Sequence, residues 1–296
     1  MIKIQIPRLV VSLLLIVLGT IWLAVFSSPD AYLHIVACDV GQGDAILMQN
    51  GSSQVLVDGG VGSRVLDCLG KYMPFWDRQI EIIVLTHPQA DHFSGLIEVF
   101  KRFKVGYFLA PGVDNSTQGY QVLKDLVMSS QVQIVNPSEG MNVRLGKIYL
   151  DIINPTSKLL ASENVLGSVG EIGMFTTTRD LNDFSVVFNL TFGSFDAILT
   201  GDIGQEREKA ILTTGKIKEV EYIKIPHHGS RNGLTKEFLD ATSPSVAVIS
   251  VGAKNTYGHP HKEILDMLKT AGVKVLRTDE MGDVEIVTDG EKYWLH

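Results

Sequence analysis

Clusters of histidine and aspartate in this sequence have the composition and spacing that can bind a divalent metal ion. The first, Thr86–His92 (THPQADH), follows an apolar run and contains two histidines and an aspartate within six residues. Imidazole nitrogens and carboxylate oxygens are metal ligands, and a bound divalent ion activates water for hydrolysis. Because Asp91 and His92 are adjacent, they must approach one ion from different directions, which favours a loop over a helix face.

Three further clusters follow strand-like runs or precede a helix: Leu199–Asp202 (LTGD), Ile225–Arg231 (IPHHGSR) and Asn255–His261 (NTYGHPH). Alone, the first of these would be an ordinary turn. Paired histidines beside glycine and serine are unusual in a structural turn. In the last cluster we expect His259 to reach an anionic substrate and His261 to cap the following helix or to face solvent.

The elements that must position these clusters are predicted to be many short strands with intervening helices. Tight-turn pairs predict hairpins at Asn50-Gly51, Gly193-Ser194 and Asp289-Gly290. Apolar periodicity predicts further strands over 31–38, 80–85, 105–109, 132–136, 147–153, 221–225, 246–250 and 273–276. It predicts helices over 62–72, 94–103, 118–129, 204–213, 234–241 and 261–271. Residues 31–296 are therefore expected to form one α/β body of sheets covered by helices.

Residues 1–30 are predicted to be a separate segment. Residues 9–26 carry no charge and follow Lys3 and Arg8, which is typical of a membrane anchor or of a cleaved secretory signal. A buried soluble helix is the third alternative. The basic flank predicts a cytoplasmic amino terminus. We therefore expect a single-pass protein of the cytoplasmic membrane with its body on the extracellular or periplasmic side, or alternatively a secreted protein.

The composition narrows the function classes. The chain has 296 residues, of which 45% are hydrophobic and 20% charged, and this excludes global disorder. The net charge is −7, and since Lys3 and Arg8 are the only charged residues before residue 27, the remainder carries −9. Such acidity argues against coating nucleic acid by charge alone, but it permits an enzyme that uses metal ions. Two cysteines are too few for a disulfide scaffold, and Cys38 is expected to be a small core residue.

The order of these clusters resembles the metallo-β-lactamase superfamily, and more narrowly the hydrolase domain of the ComEC DNA-uptake channel family. The resemblance also includes Asp39–Ala45 (DVGQGDA), Leu56–Gly60 (LVDGG) and Arg277–Glu280 (RTDE). It implies an αββα four-layer sandwich with two metal ions at one edge. With a single apolar span, we expect a free-standing relative, to which the channel role does not carry over.

Carried over by motif, the resemblance assigns His87 to a first metal and Asp91 and His92 to a second. It makes Asp202 a bridge and prefers His228 over His227 as the last ligand of the second metal. Gln89 replaces a histidine of the superfamily pattern, and residues 93–201 contain no histidine. We therefore expect a tightly held metal at the second site and a weak one at the first. Zinc or manganese is expected, and magnesium stays open.

The remaining roles follow from the expected metal chemistry, from proximity in sequence and, for the supporting residues, from the resemblance. Asp91, His227 and His259 are the candidate catalytic residues, and Ser230, Arg231 and His259 are candidates for substrate binding. Structural support around the site is expected from Asp39, Gln42, Asp44 and Asp58. Lys224, Arg231 and Lys254 are either a basic rim of the site or a solvated surface.

The function expected from these features is that of a metal-dependent phosphodiesterase or nuclease outside the cytoplasmic membrane, linked to DNA uptake. Its substrate is expected to be a phosphodiester, with single-stranded DNA as a candidate. Two alternatives stay open. One is hydrolysis of another extracellular substrate, such as a phosphocholine-type ester or a lactam. The other is a catalytically weak binding module.

Overall fold

Two mixed β-sheets face each other in the computed structural model, which describes residues 7–26, 29–165 and 170–295. The strands are β1 Leu33–Ala37, β2 Ile46–Asn50, β3 Ser53–Val57, β4 Gln79–Val84, β5 Lys104–Leu109, β6 Gln133–Val135, β7 Asn142–Leu145, β8 Ile148–Asn154, β9 Val187–Phe192, β10 Phe195–Leu199, β11 Tyr222–Lys224, β12 Val246–Ile249, β13 Lys274–Arg277, β14 Val284–Thr288 and β15 Tyr293–Leu295. The helices are α1 Arg8–Phe26, α2 Arg64–Tyr72, α3 Ala90–Phe100, α4 Gln118–Ser129, α5 Ser157–Ser162, α6 Gln205–Leu212, α7 Lys236–Thr242, α8 Lys262–Thr270 and α9 Thr278–Met281, with 3₁₀ turns at Leu181–Phe184 and Pro226–Gly229.

The strand order places the carboxyl ends of parallel strands along one edge of the sandwich. The first sheet has the order β15-β14-β1-β2-β3-β4-β5-β6 and the second β13-β12-β11-β10-β9-β8-β7. Strands β3 to β6 are parallel, and so are β10 to β13. Loops that follow such strands meet at the same edge, where α/β proteins commonly bind ligands.

Apolar side chains that point alternately to the two faces of each strand form three apolar layers. In β1, Leu33 and Ile35 point into the core between the sheets, whereas Val36 packs with the helices of the first sheet. Helices α2, α3 and α4 cover that outer face through residues such as Leu69 and Leu96. Helices α6, α7 and α8 cover the second sheet in the same way. The predicted αββα sandwich is therefore confirmed.

The local patterns predicted most of these elements. All three hairpins form where expected, and α4 spans residues 118–129 as predicted. Strand β7 and helices α5 and α9 were not predicted. Strand β7 has only four residues with mixed exposure, so its place at the sheet edge depends on pairing with β8 rather than on its own pattern.

The predicted membrane span over residues 9–26 is not supported. Helix α1 forms at this position. Among residues 7–26, 29–165 and 170–295, however, no helix combines the length and the hydrophobicity that crossing a membrane requires.

Cys38 and Cys68 form a disulfide bond, with their Cα atoms 5.8 Å apart. Cys38 directly follows β1, and Cys68 lies in α2, so the bond ties this helix to the first sheet. The expectation that Cys38 is a buried core residue is confirmed, but its disulfide bond was not predicted. The sequence separation of 30 does not show how close the two cysteines lie in the fold.

The burial of Glu208 can be tested by the pH dependence of the free energy of unfolding. Its side chain is fully buried in α6, accepts a hydrogen bond from the Thr235 N–H at 2.7 Å, and burial raises its pKa from 4.5 to about 8. The native state therefore keeps a proton that the unfolded chain loses, and stability falls as pH rises between these values. The free energy of unfolding of the metal-free wild type should fall by a few kcal/mol relative to Glu208→Gln between about pH 5 and 8. Denaturant titrations at several pH values measure it, and parallel pH curves for the two proteins would contradict it.

Candidate metal centre

The side chains of the predicted site converge on the edge where the parallel strands end. Asp58 directly follows β3, and Thr86 and His87 follow β4. In the second sheet, Asp202 follows β10, and the paired histidines lie in the 3₁₀ turn after β11. The two sheets therefore contribute ligand-type residues from opposite sides of one space.

Three buried histidines are oriented by hydrogen bonds from their Nδ1 atoms. His92 Nδ1 lies 2.8 Å from Asp58 Oδ2, and His228 Nδ1 lies 2.9 Å from the Ser250 carbonyl oxygen. His87 Nδ1 lies 3.0 Å from Thr86 Oγ, whose hydroxyl donates to Asp58. Since each acceptor requires a proton on Nδ1, Nε2 is the nitrogen of each ring that is available to a metal ion. All three Nε2 atoms are buried without a hydrogen-bond partner.

Two carboxylates complete a cluster around two of these nitrogens. Asp202 Oδ2 lies 3.3 Å from His92 Nε2 and 3.1 Å from His228 Nε2. Asp91 Oδ2 lies 3.5 Å from His228 Nε2. The ligand-type atoms of these four residues all lie within 4.8 Å of one another. Orphaned imidazole nitrogens beside two carboxylates fit a divalent cation, and hydrogen-bonded Nδ1 atoms are the usual support of a metal-binding histidine.

The electrostatics of the cluster reflect the crowding of charge. Burial opposes a charge on His92 and on His228, but Asp202, with Asp58 beside the first and Asp44 beside the second, raises the pKa of both well above the usual value. Burial also opposes ionisation of Asp202 and Asp91, yet the neighbouring histidines hold the pKa of both carboxyls below the usual range. The site therefore holds ionised carboxylates that require a positive charge nearby.

Asp91 and His92 lie in the first turn of a helix, which corrects the expectation of a loop. Helix α3 begins at Ala90, with Gln89 as its N-cap residue. The two side chains still diverge, because His92 is fully buried and reaches Asp58 whereas Asp91 stays partly exposed. The loop before β2 packs closely on this turn, since a Cβ on Gly43 would lie 2.0 Å from the Asp91 carbonyl oxygen.

His227 and His228 both have left-handed backbone conformations, with φ of 49° and 54°. Such conformations are uncommon for residues other than glycine and cost about 1–3 kcal/mol each. The strain turns the two adjacent rings in different directions. His228 points into the cluster, whereas His227 is half-buried and faces the open cavity.

The predicted first site is incomplete. His87 is fully buried, and burial together with the neighbouring His92 lowers its pKa to about 3. In the part of the chain that the structure describes, His87 belongs to neither group of three or more ligand-type residues. Gln89 lines the cavity beside Asp91. The structure thus brings Asp91, His92, Asp202 and His228 together, and leaves His87 with at most Gln89 and the shared Asp202.

An open cavity of about 360 Å³ adjoins the cluster. His227, His228 and His259 line it, together with Gln42, Gln89, Asp91 and Tyr257. Tyr257 is 66% exposed, and its ring stacks on His259 at 5.7 Å between centroids. The candidates Ser230 and Arg231 are not among the lining residues; Ser230 is buried, and Arg231 donates its backbone N–H to His261. Tyr257 was not predicted to be a site residue, although it lies in the same cluster as His259 and His261.

The four supporting residues differ in what they hold. Asp58 is fully buried and accepts from the Thr86 N–H as well as from His92, so it fixes the first motif. Asp44 is buried beside Lys224 and His228. Asp39 is exposed and accepts from the Gly41 N–H, and Gln42 Oε1 accepts from the Gly252 N–H at 3.3 Å. Asp44 and Asp58 contact the histidines of the cluster, and Gln42 lines the adjoining cavity, so in the described part of the chain only Asp39 has no contact that ties it to the site.

Lys224 does not belong to a basic rim. Its ammonium group is buried and contacts Asp44 and Asp202, so the expectation of a solvent-facing cation is wrong at this position. The residue ends β11, and the apolar strand pattern gave no indication that its side chain enters the centre.

This chain is similar in sequence and in fold to known proteins. Residues 38–253 match the family model "Metallo-beta-lactamase superfamily". The chain is 25% identical to ComE operon protein 3 of Bacillus subtilis (83% of this chain, 32% of the relative) and 23% identical to competence protein ComA of Neisseria gonorrhoeae (87% and 32%). It therefore spans about a third of the length of these relatives. The fold is similar to that of the metallo-beta-lactamase fold protein YhfI from Bacillus subtilis (TM-score 0.55, 12% identity, 89% of this chain and all of that chain).

Proposed function

The chain belongs to the metallo-beta-lactamase superfamily, and from this premise we propose that it is a metal-dependent phosphodiesterase that acts on DNA. The observation that carries the proposal is the set of free Nε2 atoms and two carboxylates at the floor of an open cavity. The donor set of two imidazoles and two carboxylates suits zinc or manganese better than magnesium, which prefers oxygen ligands.

The ligands of the proposed metal are Asp91, His92, Asp202 and His228. A divalent ion held by them supplies a Lewis acid that activates water near neutral pH and offsets negative charge on a phosphoryl group. Asp58 and the Ser250 carbonyl oxygen keep His92 and His228 in the tautomer that leaves Nε2 free.

Two histidines outside the ligand set are placed to move protons. The His227 and His259 rings lie 5.8 Å apart on the wall of the cavity. Burial lowers the pKa of both rings, that of His259 to about 4. A neutral imidazole accepts a hydrogen bond or a proton, and a phosphate anion nearby would favour its protonated form. We assign His227 and His259 to contacts with phosphate oxygens and to protonation of the leaving group.

Two observations support DNA as the phosphodiester. The exposed Tyr257 ring stands at the cavity wall beside His259, and a flat exposed ring is suited to stacking against an unpaired base. The Neisseria gonorrhoeae relative is named as a competence protein, and competence is the uptake of DNA. We therefore propose single-stranded DNA as the substrate and a role linked to DNA uptake.

The substrate assignment is tested by activity assays on purified protein with manganese or zinc. We expect cleavage of linear single-stranded DNA and of a small phosphodiester such as bis(p-nitrophenyl) phosphate, both abolished by chelator. RNA, a phosphocholine ester and a lactam are the comparison substrates. Faster turnover of the lactam would contradict the phosphodiesterase assignment. Faster turnover of the phosphocholine ester, which is itself a phosphodiester, would contradict DNA as the substrate. Metal binding without turnover of any of these substrates would favour a binding module.

We further propose that the protein works outside the cytoplasm. The Cys38–Cys68 disulfide supports this placement, since such bonds persist in oxidising compartments and are rare in the cytosol. In the native host, thiol alkylation under denaturing conditions should modify neither cysteine until a reductant is added. Reduction should cost about 3–4 kcal/mol of stability in the purified protein, as expected for a loop of this length. Two alkylated thiols in freshly quenched cells would contradict the placement. Protection of the domain from protease that is added to cells with a permeabilised envelope but an intact cytoplasmic membrane would also contradict it.

A further inference from the structure

Lys224 is a buried cation inside the metal centre. Its side chain is 1% exposed. The ammonium group donates to the Gly201 carbonyl oxygen at 3.0 Å and to Asp202 Oδ1 at 3.3 Å, and it forms an ion pair with Asp44. An ammonium group has three donors, so its hydrogen-bonding capacity is filled by these three acceptors. A buried charge is tolerated only when it is paired in this way, which means that Lys224 is built into the centre.

The position of Lys224 divides the two oxygens of Asp202. Oδ2 faces His92 and His228 at 3.3 and 3.1 Å, where the proposed metal binds. Oδ1 faces the ammonium group. A carboxylate that bridges two metal ions with one oxygen on each needs both oxygens, but here Oδ1 already contacts a protein cation.

Lys224 also reduces the charge that metal ions must supply. Asp44, Asp58, Asp91 and Asp202 contribute four negative charges when ionised. One divalent ion and the ammonium group supply three positive charges, so a single ion already brings the net charge to within one unit of neutrality. A second ion at the first site predicted from the sequence would bind through His87, which belongs to neither ligand group of the described residues, and it would compete with Lys224 for Asp202. An ion at the other group, formed by Asp44, Asp58 and His92, would compete with Lys224 for Asp44.

We propose that Lys224 takes the place of a second metal ion, so that this centre binds one divalent ion and uses the ammonium group as its other cation. Lys224 is then a positioning residue: it fixes Asp202 with Oδ2 toward the metal and offsets the charge of Asp44. This inference rests on the proposed metal-dependent function, since it concerns the same ligands.

The test is the stoichiometry of metal binding, measured on metal-free full-length protein by equilibrium dialysis against Mn²⁺ or Zn²⁺ with elemental analysis. The wild type should bind one equivalent. Lys224→Met keeps the length of the side chain but removes the charge, which frees Asp202 Oδ1 and Asp44, and it should bind a second, weaker equivalent. Lys218→Met is the matched control, because Lys218 pairs with Asp196 at the opposite end of β10 from Asp202. This control should remain at one equivalent.

The outcomes separate this inference from the proposed function. Two tightly retained equivalents in the wild type would overturn the role of Lys224 while leaving the metal-dependent function standing, and this result does not depend on whether any variant folds. A folded Lys224→Met protein that still binds one equivalent with unchanged affinity would also overturn it. The absence of any bound metal in the wild type would overturn the metal centre itself, and the inference with it.

Discussion

Replacing Asp91 or His92 by alanine should abolish metal retention and hydrolysis together. Each change removes one of four ligand atoms that lie within 4.8 Å of one another. Loss of an outer residue that merely orients a metal ligand typically lowers metal affinity about 10–100-fold, and loss of the ligand itself should exceed that range. His92→Ala additionally leaves the buried Asp58 carboxylate without the partner that lies 2.8 Å away, so this variant should also lose stability.

Metal content after dialysis and the rate of phosphodiester hydrolysis measure this result. Asp125→Ala is the matched control for Asp91→Ala, because it removes an exposed carboxylate of α4 without touching the cluster. Thermal unfolding should show that Asp91→Ala remains folded, since Asp91 is partly exposed. Full activity or full metal content in Asp91→Ala would show that the cluster is not the metal centre.

The sequence indicated which ligand-type side chains lie close together because the segments that carry them follow strands whose carboxyl ends share one edge. His87 and Asp202 follow apolar runs that form β4 and β10, and these strands lie in different sheets whose packing brings their carboxyl ends to the same edge. The secondary structure was predictable from local sequence patterns. Helix α4 has a clear amphipathic spacing, and the Asn50-Gly51 pair specifies a tight turn.

What the sequence did not predict depends on contacts between distant segments. Lys224 lies at the end of an apolar strand, and only the folded chain shows that Asp44 and Asp202 enclose its ammonium group. The Cys38–Cys68 bond likewise requires α2 to pack on the first sheet. The helical start at Ala90 was missed because chemical reasoning about two adjacent ligands favoured a loop. A helix terminus also directs neighbouring side chains apart.

The paired histidines were ambiguous in sequence, and the structure places their rings in different surroundings. His228 Nε2 lies 3.1 Å from Asp202 Oδ2, and its Nδ1 is held by the Ser250 carbonyl oxygen. The His227 ring centroid lies 6.2 Å from that of His228 and faces the cavity. His228 therefore has the geometry of a ligand, and His227 that of a group that contacts substrate.

Alanine at these two positions should accordingly lower activity in both variants but remove the metal from only one of them. His228→Ala should lose both the metal and the activity. His227→Ala should keep one equivalent of metal while its turnover number falls by about 10²-fold or more, the usual contribution of a positioned proton donor. Both residues have the same left-handed backbone, so the two variants carry matched backbone strain and differ mainly in the lost ring.

His227→Gln, which keeps a hydrogen-bonding group, should recover part of the loss in substrate binding but not in turnover. Metal analysis and steady-state kinetics on the same preparations measure both effects. Metal loss in His227→Ala with retention in His228→Ala would reverse the assignment of the ligand.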